Sequence, residues 1–276
     1  MGTIPYEPFD EDLLSGLGSN CEIIVSASAG YNEFDVDWMT RAGIWFCNTV
    51  HAVSEATADM ALFLILAVVR NTTVAEKQAR EGNWKTGLTP SGDPSGKTLG
   101  IVGLGGIGKY LAKKAALFNM KIHYYNRHRL SQEEEAEYQA TYCSDLHSLL
   151  SSSDIVSLHA PLNNQTTNMI SHAEFKAMKD GSFLVNTARG AIVDEEALIR
   201  ALESGKIARA GLDVFKNEPE INEYFMKSDK VVLQPHMGGL TEAAFAKSQK
   251  ECLENIRAYF ETGTPNSPVN KPKSRQ

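Results

Sequence analysis

The chain has no long hydrophobic run. Its longest apolar stretch, Met60 to Val69, is about half of what a membrane-spanning helix needs, so no membrane partner is expected. No secretory signal peptide is expected at Met1, and the tail Lys273-Ser274-Arg275-Gln276 is polar rather than a peroxisomal address. Cysteine is scarce: Cys21, Cys47, Cys143 and Cys252 are the four present, and no two form a C-x-x-C pair. A zinc site or other metal is therefore not expected, and a reducing, cytoplasmic compartment is. Positive charge is in the minority, with 27 Lys and Arg against 34 Asp and Glu and a formal net charge of -7. Without a basic stripe, nucleic acid is not an expected partner. Internal repeats and low-complexity tracts are also missing.

What is present suits a globular chain with a real core. Apolar residues make up 42% of 276 and charged ones 22%, enough for one large domain or two ordinary ones. The most informative stretch is Thr98-Leu99-Gly100-Ile101-Val102-Gly103-Leu104-Gly105-Gly106-Ile107-Gly108. A short apolar run ends in Gly103-x-Gly105-x-x-Gly108, and the pattern Leu111, Ala112, Ala115, Ala116, Phe118 follows at once. Strand, tight turn and helix are the context a dinucleotide fingerprint needs. Gly103 permits the turn, Gly105 lets backbone approach a pyrophosphate, and Gly108 lets helix and strand pack closely. The helix N-terminus, opening at Gly106 and Ile107, offers free N–H groups to phosphates.

Before this stretch the chain reads as loop to Asn20 with a short helix near Glu11–Leu14, a strand at Cys21–Ala27, a helix at Phe34–Ala42 and a strand at Ile44–Cys47. A long helix opens near Ser54 and runs through Val69, with a continuation past Arg70 to Arg80; it is apolar on nearly every side and so is expected to be buried on more than one face. After the fingerprint come strands at Lys121–Tyr125, Asp154–Leu158, Ser182–Asn186, Ala208–Leu212 and Val231–Leu233. Helices are expected at 144–151, 171–178, 194–204 and 241–262. Strand and helix alternating with short joins predict an α/β fold with a doubly wound parallel sheet.

In such sheets ligands bind at the carboxyl edge. The strands are followed there by His159-Ala160-Pro161-Leu162, Thr187-Ala188-Arg189-Gly190, Asp213-Val214-Phe215-Lys216-Asn217-Glu218-Pro219 and Gln234-Pro235-His236-Met237-Gly238. A cation, a carboxylate and an imidazole make a carboxylate clamp plus an acid/base pair. The motifs Asn186-Thr-Ala-Arg-Gly190, Gly211-Leu-Asp-Val-Phe215 with Glu218-Pro219, and Pro235-His236 resemble the D-isomer-specific 2-hydroxyacid dehydrogenases, most closely the glyoxylate/hydroxypyruvate reductase branch. The resemblance runs from Ser26 to about Phe260. It implies that Arg189 binds the carboxylate and carbonyl oxygen of a small 2-oxo acid, and that His236 protonates that oxygen as hydride arrives. Glu218 would hydrogen-bond His236 and favour its protonated form. Backbone amides at Ala29 and Gly30 would hold the substrate carboxylate, Asp213 would bond the nicotinamide carboxamide, and Ala160, Pro161, Thr187, Ala188 and Gly238 would line the cofactor cleft. His159 reads as structural or adjacent to the cofactor.

The second strand of the nucleotide unit bears on the cofactor. An NAD binder ends it with Asp or Glu; here it ends Tyr125-Asn126-Arg127-His128-Arg129. A carboxylate would repel a 2′-phosphate, whereas Arg127 and Arg129 would pair with it. The expected cofactor is NADP(H), with NAD(H) as the alternative. The reading is a reductase yielding D-2-hydroxy acids. Its rival is a nucleotide-sensing regulator, since corepressors resembling the same family also keep Arg, Glu and His. The resemblance further implies a homodimer and two lobes: a substrate lobe of residues 1–52 and 241–276 and a cofactor domain of residues 53–240. Relatives usually carry several strands before the segment matched by Ser26–Gly30. The substrate lobe is therefore expected to be an N-terminally truncated flavodoxin-like lobe, loosely held, with weak catalysis.

Overall fold

The computed structural model describes residues 8–17, 20–49 and 51–272. In chain order its elements are α1 (Glu11–Leu14), β1 (Ile23–Ser26), α2 (Val36–Arg41), β2 (Trp45–Asn48), α3 (Ser54–Arg70), α4 (Thr72–Arg80), β3 (Thr98–Val102), α5 (Gly106–Ala116), β4 (Lys121–Tyr125), α6 (Gln132–Glu137), β5 (Ala140–Tyr142) and α7 (Leu146–Ser152). There follow β6 (Ile155–Leu158), α8 (His172–Ala177), β7 (Ser182–Asn186), α9 (Glu195–Glu203), β8 (Ile207–Leu212), α10 (Glu223–Lys227), β9 (Val231–Leu233) and α11 (Glu242–Thr262). The chain divides into two compact units, residues 1–56 with 239–276 and residues 57–238. The expected divisions stood at 52/53 and 240/241.

The larger unit is built on a seven-stranded sheet ordered β5-β4-β3-β6-β7-β8-β9, with every pair parallel. Both faces are covered, and the alternation of side chains along each strand explains how. Leu99 and Ile101 of β3 and Val185 of β7 pack with α3 and α5. Val102, Val156, Leu158 and Leu184 face the other way, against Leu149, Phe175 and Leu198 of α7, α8 and α9. The chain turns from one half of the sheet to the other between β3 and β6, so the carboxyl ends of those two strands flank the crevice where such sheets take ligands.

The smaller unit holds a two-stranded parallel sheet, β1 on β2. Phe9 stacks on Phe34 at 4.4 Å between ring centroids, and Phe34 meets Phe46 at 4.7 Å, over a core of Leu14, Met39, Ile44 and Phe46. The C-terminal segment runs antiparallel beside β2 through the Cys47–Pro268 bridge.

Two expectations are corrected. The helix beginning at Ser54 does not continue to Arg80: Asn71 takes a left-handed backbone, φ 53°, and the chain bends by 70° into α4. Three elements, α6, β5 and α10, were not expected. The strand expected at 21–27 is trimmed to Ile23–Ser26. No single helix among the described residues is long and apolar enough to cross a membrane.

Candidate active site

The loop between β3 and α5 is shaped by its glycines, each for a different reason. Gly103 has φ 98°, and a Cβ there would lie 2.9 Å from the carbonyl carbon of His159 and 3.0 Å from the Ala160 nitrogen. The loop after β3 thus touches the loop after β6. A Cβ on Gly108 would meet the Gly103 carbonyl oxygen at 2.5 Å. A Cβ on Gly105 would have nothing within 4 Å, so that glycine opens onto free space. Gly105 is also the N-cap of α5 and supplies no side-chain cap. The N–H groups of Gly106, Ile107 and Gly108 are therefore left for an anion. Such a cradle fits the pyrophosphate of a dinucleotide.

The end of β4 braces this loop. The Leu104 N–H donates to Asn126 Oδ1 at 2.7 Å, which turns the Asn126 oxygen toward the loop. Arg127 is exposed and has no side-chain partner among the described residues. Arg129 is engaged: its Nε and Nη2 donate to the two carboxylate oxygens of Glu135, each at 2.8 Å. These arginines were expected as an equivalent pair; the structure makes them different.

At the carboxyl ends of β6 and β7, Leu158 pairs with Asn186, so His159 and Thr187 are the next residues on neighbouring strands. His159 Nε2 lies 2.8 Å from Ser157 Oγ, and burial holds its imidazole down to about 4, hence neutral. Its Nδ1 and the Thr187 hydroxyl are buried with no partner among the described residues. Orphaned polar atoms of this kind call for a ligand or water. Asn186 orders the next turn, accepting from the Ala188 N–H at 3.0 Å and donating to the Arg189 carbonyl at 2.9 Å. Arg189 is half-buried, and its Nη1 donates back to the Ala188 carbonyl at 2.8 Å.

Gly190 explains why this motif and the one after β8 occur together. A Cβ on it would lie 1.9 Å from the carbonyl carbon of Phe215, so the two loops touch backbone to backbone. The Phe215 N–H donates to Glu218 Oε1 at 2.9 Å, while Glu218 Oε2 sits 2.6 Å from His236 Nδ1. Burial pushes the Glu218 carboxyl up, but the His236 and Phe215 hydrogen bonds and the nearby His236 and Arg189 charges outweigh it, leaving it below the usual carboxylate range. Glu218 therefore stays ionised and accepts from a proton on His236 Nδ1, which leaves Nε2 outside this pair.

Asp213 at the end of β8 is 1% exposed. Its oxygens accept from the Met237 and Gly238 N–H groups, each at 2.8 Å. Burial raises its pKa in spite of those bonds. Expected as a cofactor ligand, it is engaged here in holding the segment that carries His236. A Cβ on Gly238 would stand 2.8 Å from Asp213 Oδ2, so the clamp needs glycine there. Ala160 and Pro161 follow His159 at the crevice. Ala29 and Gly30 lie in the smaller unit, in a turn pinned by Asn48 Nδ2 donating to the Ala29 carbonyl at 2.6 Å and Ser28 Oγ donating to the Gly30 carbonyl at 2.7 Å. Sequence reasoning missed Tyr124, Glu135 and the Phe215 amide. The spacing Ser131-x-x-Glu134, a capping box, was the one signal for α6 and thus for Glu135.

Comparison with known proteins agrees with this geometry. The D-isomer-specific 2-hydroxyacid dehydrogenase NAD-binding domain matches residues 62–238. A dehydrogenase of Hormonema carpetanum, efuE, is 63% identical over 98% of this chain and 68% of its own length. Among solved structures, a glyoxylate reductase from Paecilomyes thermophila superposes with a TM-score of 0.90 at 43% identity, covering 95% of this chain and 79% of that one. An NADPH-dependent glyoxylate/hydroxypyruvate reductase from Sinorhizobium meliloti, in complex with NADP and malonate, does so with a TM-score of 0.86 at 30% identity, covering 96% and 83%. The glycine-shaped loop after β3, the paired Glu218 and His236 and these likenesses converge: the chain belongs to the D-isomer-specific 2-hydroxyacid dehydrogenase family.

Proposed function

We propose that this protein reduces a small 2-oxo acid of the glyoxylate or hydroxypyruvate kind to the D-2-hydroxy acid, with NADPH as the preferred cofactor. The observation that carries the reading is the 2.6 Å contact of Glu218 with His236 Nδ1, at the same sheet edge as the uncapped start of α5. When bound, the nicotinamide supplies a hydride to the carbonyl carbon. Gly103, Gly105, Gly106, Ile107 and Gly108 hold the dinucleotide's phosphates, and Ala160, Pro161, Thr187, Ala188 and Gly238 line the rest of its site, while Asp213 holds the segment that carries His236. His236 gives its Nε2 proton to the carbonyl oxygen, and the anionic Glu218 stabilises the charge of the imidazolium before that transfer. Arg189 supplies a planar pair of donors suited to two coplanar oxygens of a 2-oxo acid. Ala29 and Gly30 have no acceptor for their N–H groups among the described residues, and the reading gives them the substrate carboxylate.

The preference for NADPH rests on Asn126, Arg127 and Arg129, since β4 is followed by Asn126 and not by the carboxylate that would bond a ribose 2′-OH and repel a 2′-phosphate. The Sinorhizobium meliloti reductase, solved with NADP, supports it. The larger unit serves as cofactor domain and the smaller as substrate lobe. A homodimer is part of the reading: Phe63, a large apolar side chain on α3, is half exposed. A cytoplasmic setting is too, given four free thiols.

The test is a panel of 2-oxo acids assayed with NADPH and NADH by absorbance at ~340 nm, the general wavelength of reduced nicotinamide. Turnover of glyoxylate or hydroxypyruvate with NADPH favoured supports the reading. Cofactor binding with no turnover of any acid returns the regulator.

A further inference from the structure

The loop between β4 and α6 is locked by a chain of bonds running from the core to the surface. Tyr124 is fully buried, and burial together with its bond to Glu135 pushes its phenol up to about 12. Its hydroxyl accepts from the Leu130 N–H at 3.0 Å and donates to Glu135 Oε1 at 2.6 Å. Glu135 in turn holds Arg129 through Nε and Nη2, and the guanidinium carbon stands 5.3 Å from the centroid of the Tyr142 ring. α6 is fixed to α5 by Lys109 and Glu134 at 2.6 Å. Arg129 is thus held from its side and from one face.

A guanidinium has five N–H donors, and Glu135 takes two. One on Nη2 and both on Nη1 remain, on a group whose rotamer is already fixed. Arg127, in the same loop, has no such brace. We propose that Tyr124 and Glu135 are specificity-setting positioning residues: they hold Arg129 ready as the ordered half of a receptor for the 2′-phosphate, with Arg127 as the flexible half. The inference rests on the NADPH reading above. Ordering a long side chain on binding costs about 0.5–1.5 kcal/mol, and this chain of bonds meets that cost in advance. Its loss translates to roughly three- to tenfold in affinity, confined to ligands that carry the phosphate.

Calorimetric titration of the full chain with NADPH, NADH, 2′,5′-ADP and 5′-AMP tests it. Tyr124→Phe and Glu135→Ala each weaken NADPH and 2′,5′-ADP by roughly three- to tenfold and leave NADH and 5′-AMP as in the wild type. Glu135→Ala adds nothing once Arg129→Ala is present. Thermal melting reports whether a variant folds, and the NADPH:NADH ratio is a readout that a merely structural role does not move. An unchanged ratio in both variants, or equal losses for both cofactors, overturns the inference. If Arg127→Ala lowers the ratio and Arg129→Ala does not, this inference falls and the NADPH reading stands. If neither arginine matters, the NADPH reading itself falls.

Discussion

Gly190→Ala puts one methyl group where two strand-end loops touch. The new Cβ would stand 1.9 Å from the Phe215 carbonyl carbon, 2.1 Å from its oxygen and 2.4 Å from the Lys216 nitrogen. All three are backbone atoms, so no side chain can swing aside. Ordinary contact between carbons begins near 3.5 Å, so the loops must part by about 1.5 Å. Overpacking of this kind costs about 3 kcal/mol, or roughly 6–12 °C in Tm for a unit of this size. The displacement also travels, because the Phe215 N–H holds Glu218 and Glu218 holds His236. A 1 Å misplacement near reacting groups costs on the order of 100-fold in rate. The expected variant therefore melts early and loses kcat by about two orders of magnitude, while NADPH affinity, read by fluorescence, changes little. A variant that melts within a degree or so of wild type and keeps its kcat refutes the idea that this glycine joins the two motifs.

Gly105→Ala is the counterpart: the open space around Gly105 predicts an unchanged Tm and a weakened cofactor affinity, and equal affinity removes this loop from the dinucleotide site. His236→Gln is expected to lower kcat by about 10²–10⁴-fold with NADPH binding retained. In Glu218→Gln the carboxylate beside His236 Nδ1 is gone, so the imidazole loses the partner that fixes its orientation and kcat falls by about tenfold or more; an unchanged kcat separates the pair. Arg189→Lys keeps the charge and loses the fork, so KM for glyoxylate rises strongly, and a wild-type KM takes Arg189 out of the site.

The parts of this fold legible in the sequence were those with an apolar period. Strands β3, β4 and β6 to β9 stand within a residue or so of the expected ranges, because most of them are buried parallel strands that read as apolar runs, while β4 alternates buried and more exposed residues. Gln132–Glu137 has no apolar stripe at all; α6 is held by the Ser131 capping box and by ion pairs to α5, which composition does not show. Asn71 lies in a run whose period continues past it, so the break between α3 and α4 comes from one left-handed residue. At the candidate site the residue types at the strand ends were legible, and their division of labour was not. That Asn126 turns its oxygen to Leu104 and that Asp213 faces two backbone amides are consequences of chain crossings between residues more than twenty apart in sequence, and the pairing of Arg129 with Glu135 depends on α6, a helix with no apolar period to announce it.

Asp213 carries the most consequential of those crossings. His236 has φ 55°, a left-handed backbone that costs a non-glycine residue about 1–2 kcal/mol. Something must hold it there. The His236 N–H donates to the Asp213 carbonyl at 2.8 Å, and the side-chain oxygens of Asp213 take the next two N–H groups. One buried residue thus fixes three successive amides, and burial raises its pKa as the cost of keeping the charge there. With the folded pKa raised, the ionised group detracts from stability as pH climbs above the ordinary Asp range. Asn in its place relieves that burden but has one acceptor oxygen and turns an NH₂ toward the other amide, leaving a buried donor unmet at about 1–3 kcal/mol. The two effects on Tm oppose each other; those on catalysis do not, since a released segment lets His236 leave its strained conformation. Asp213→Asn is therefore expected to lose kcat by tenfold or more with a shift in Tm of only a few degrees, and to lose it at every pH. Full kcat in Asp213→Asn would show that the strained backbone at His236 holds without this clamp, and the carboxylate would then return to the role of a cofactor ligand.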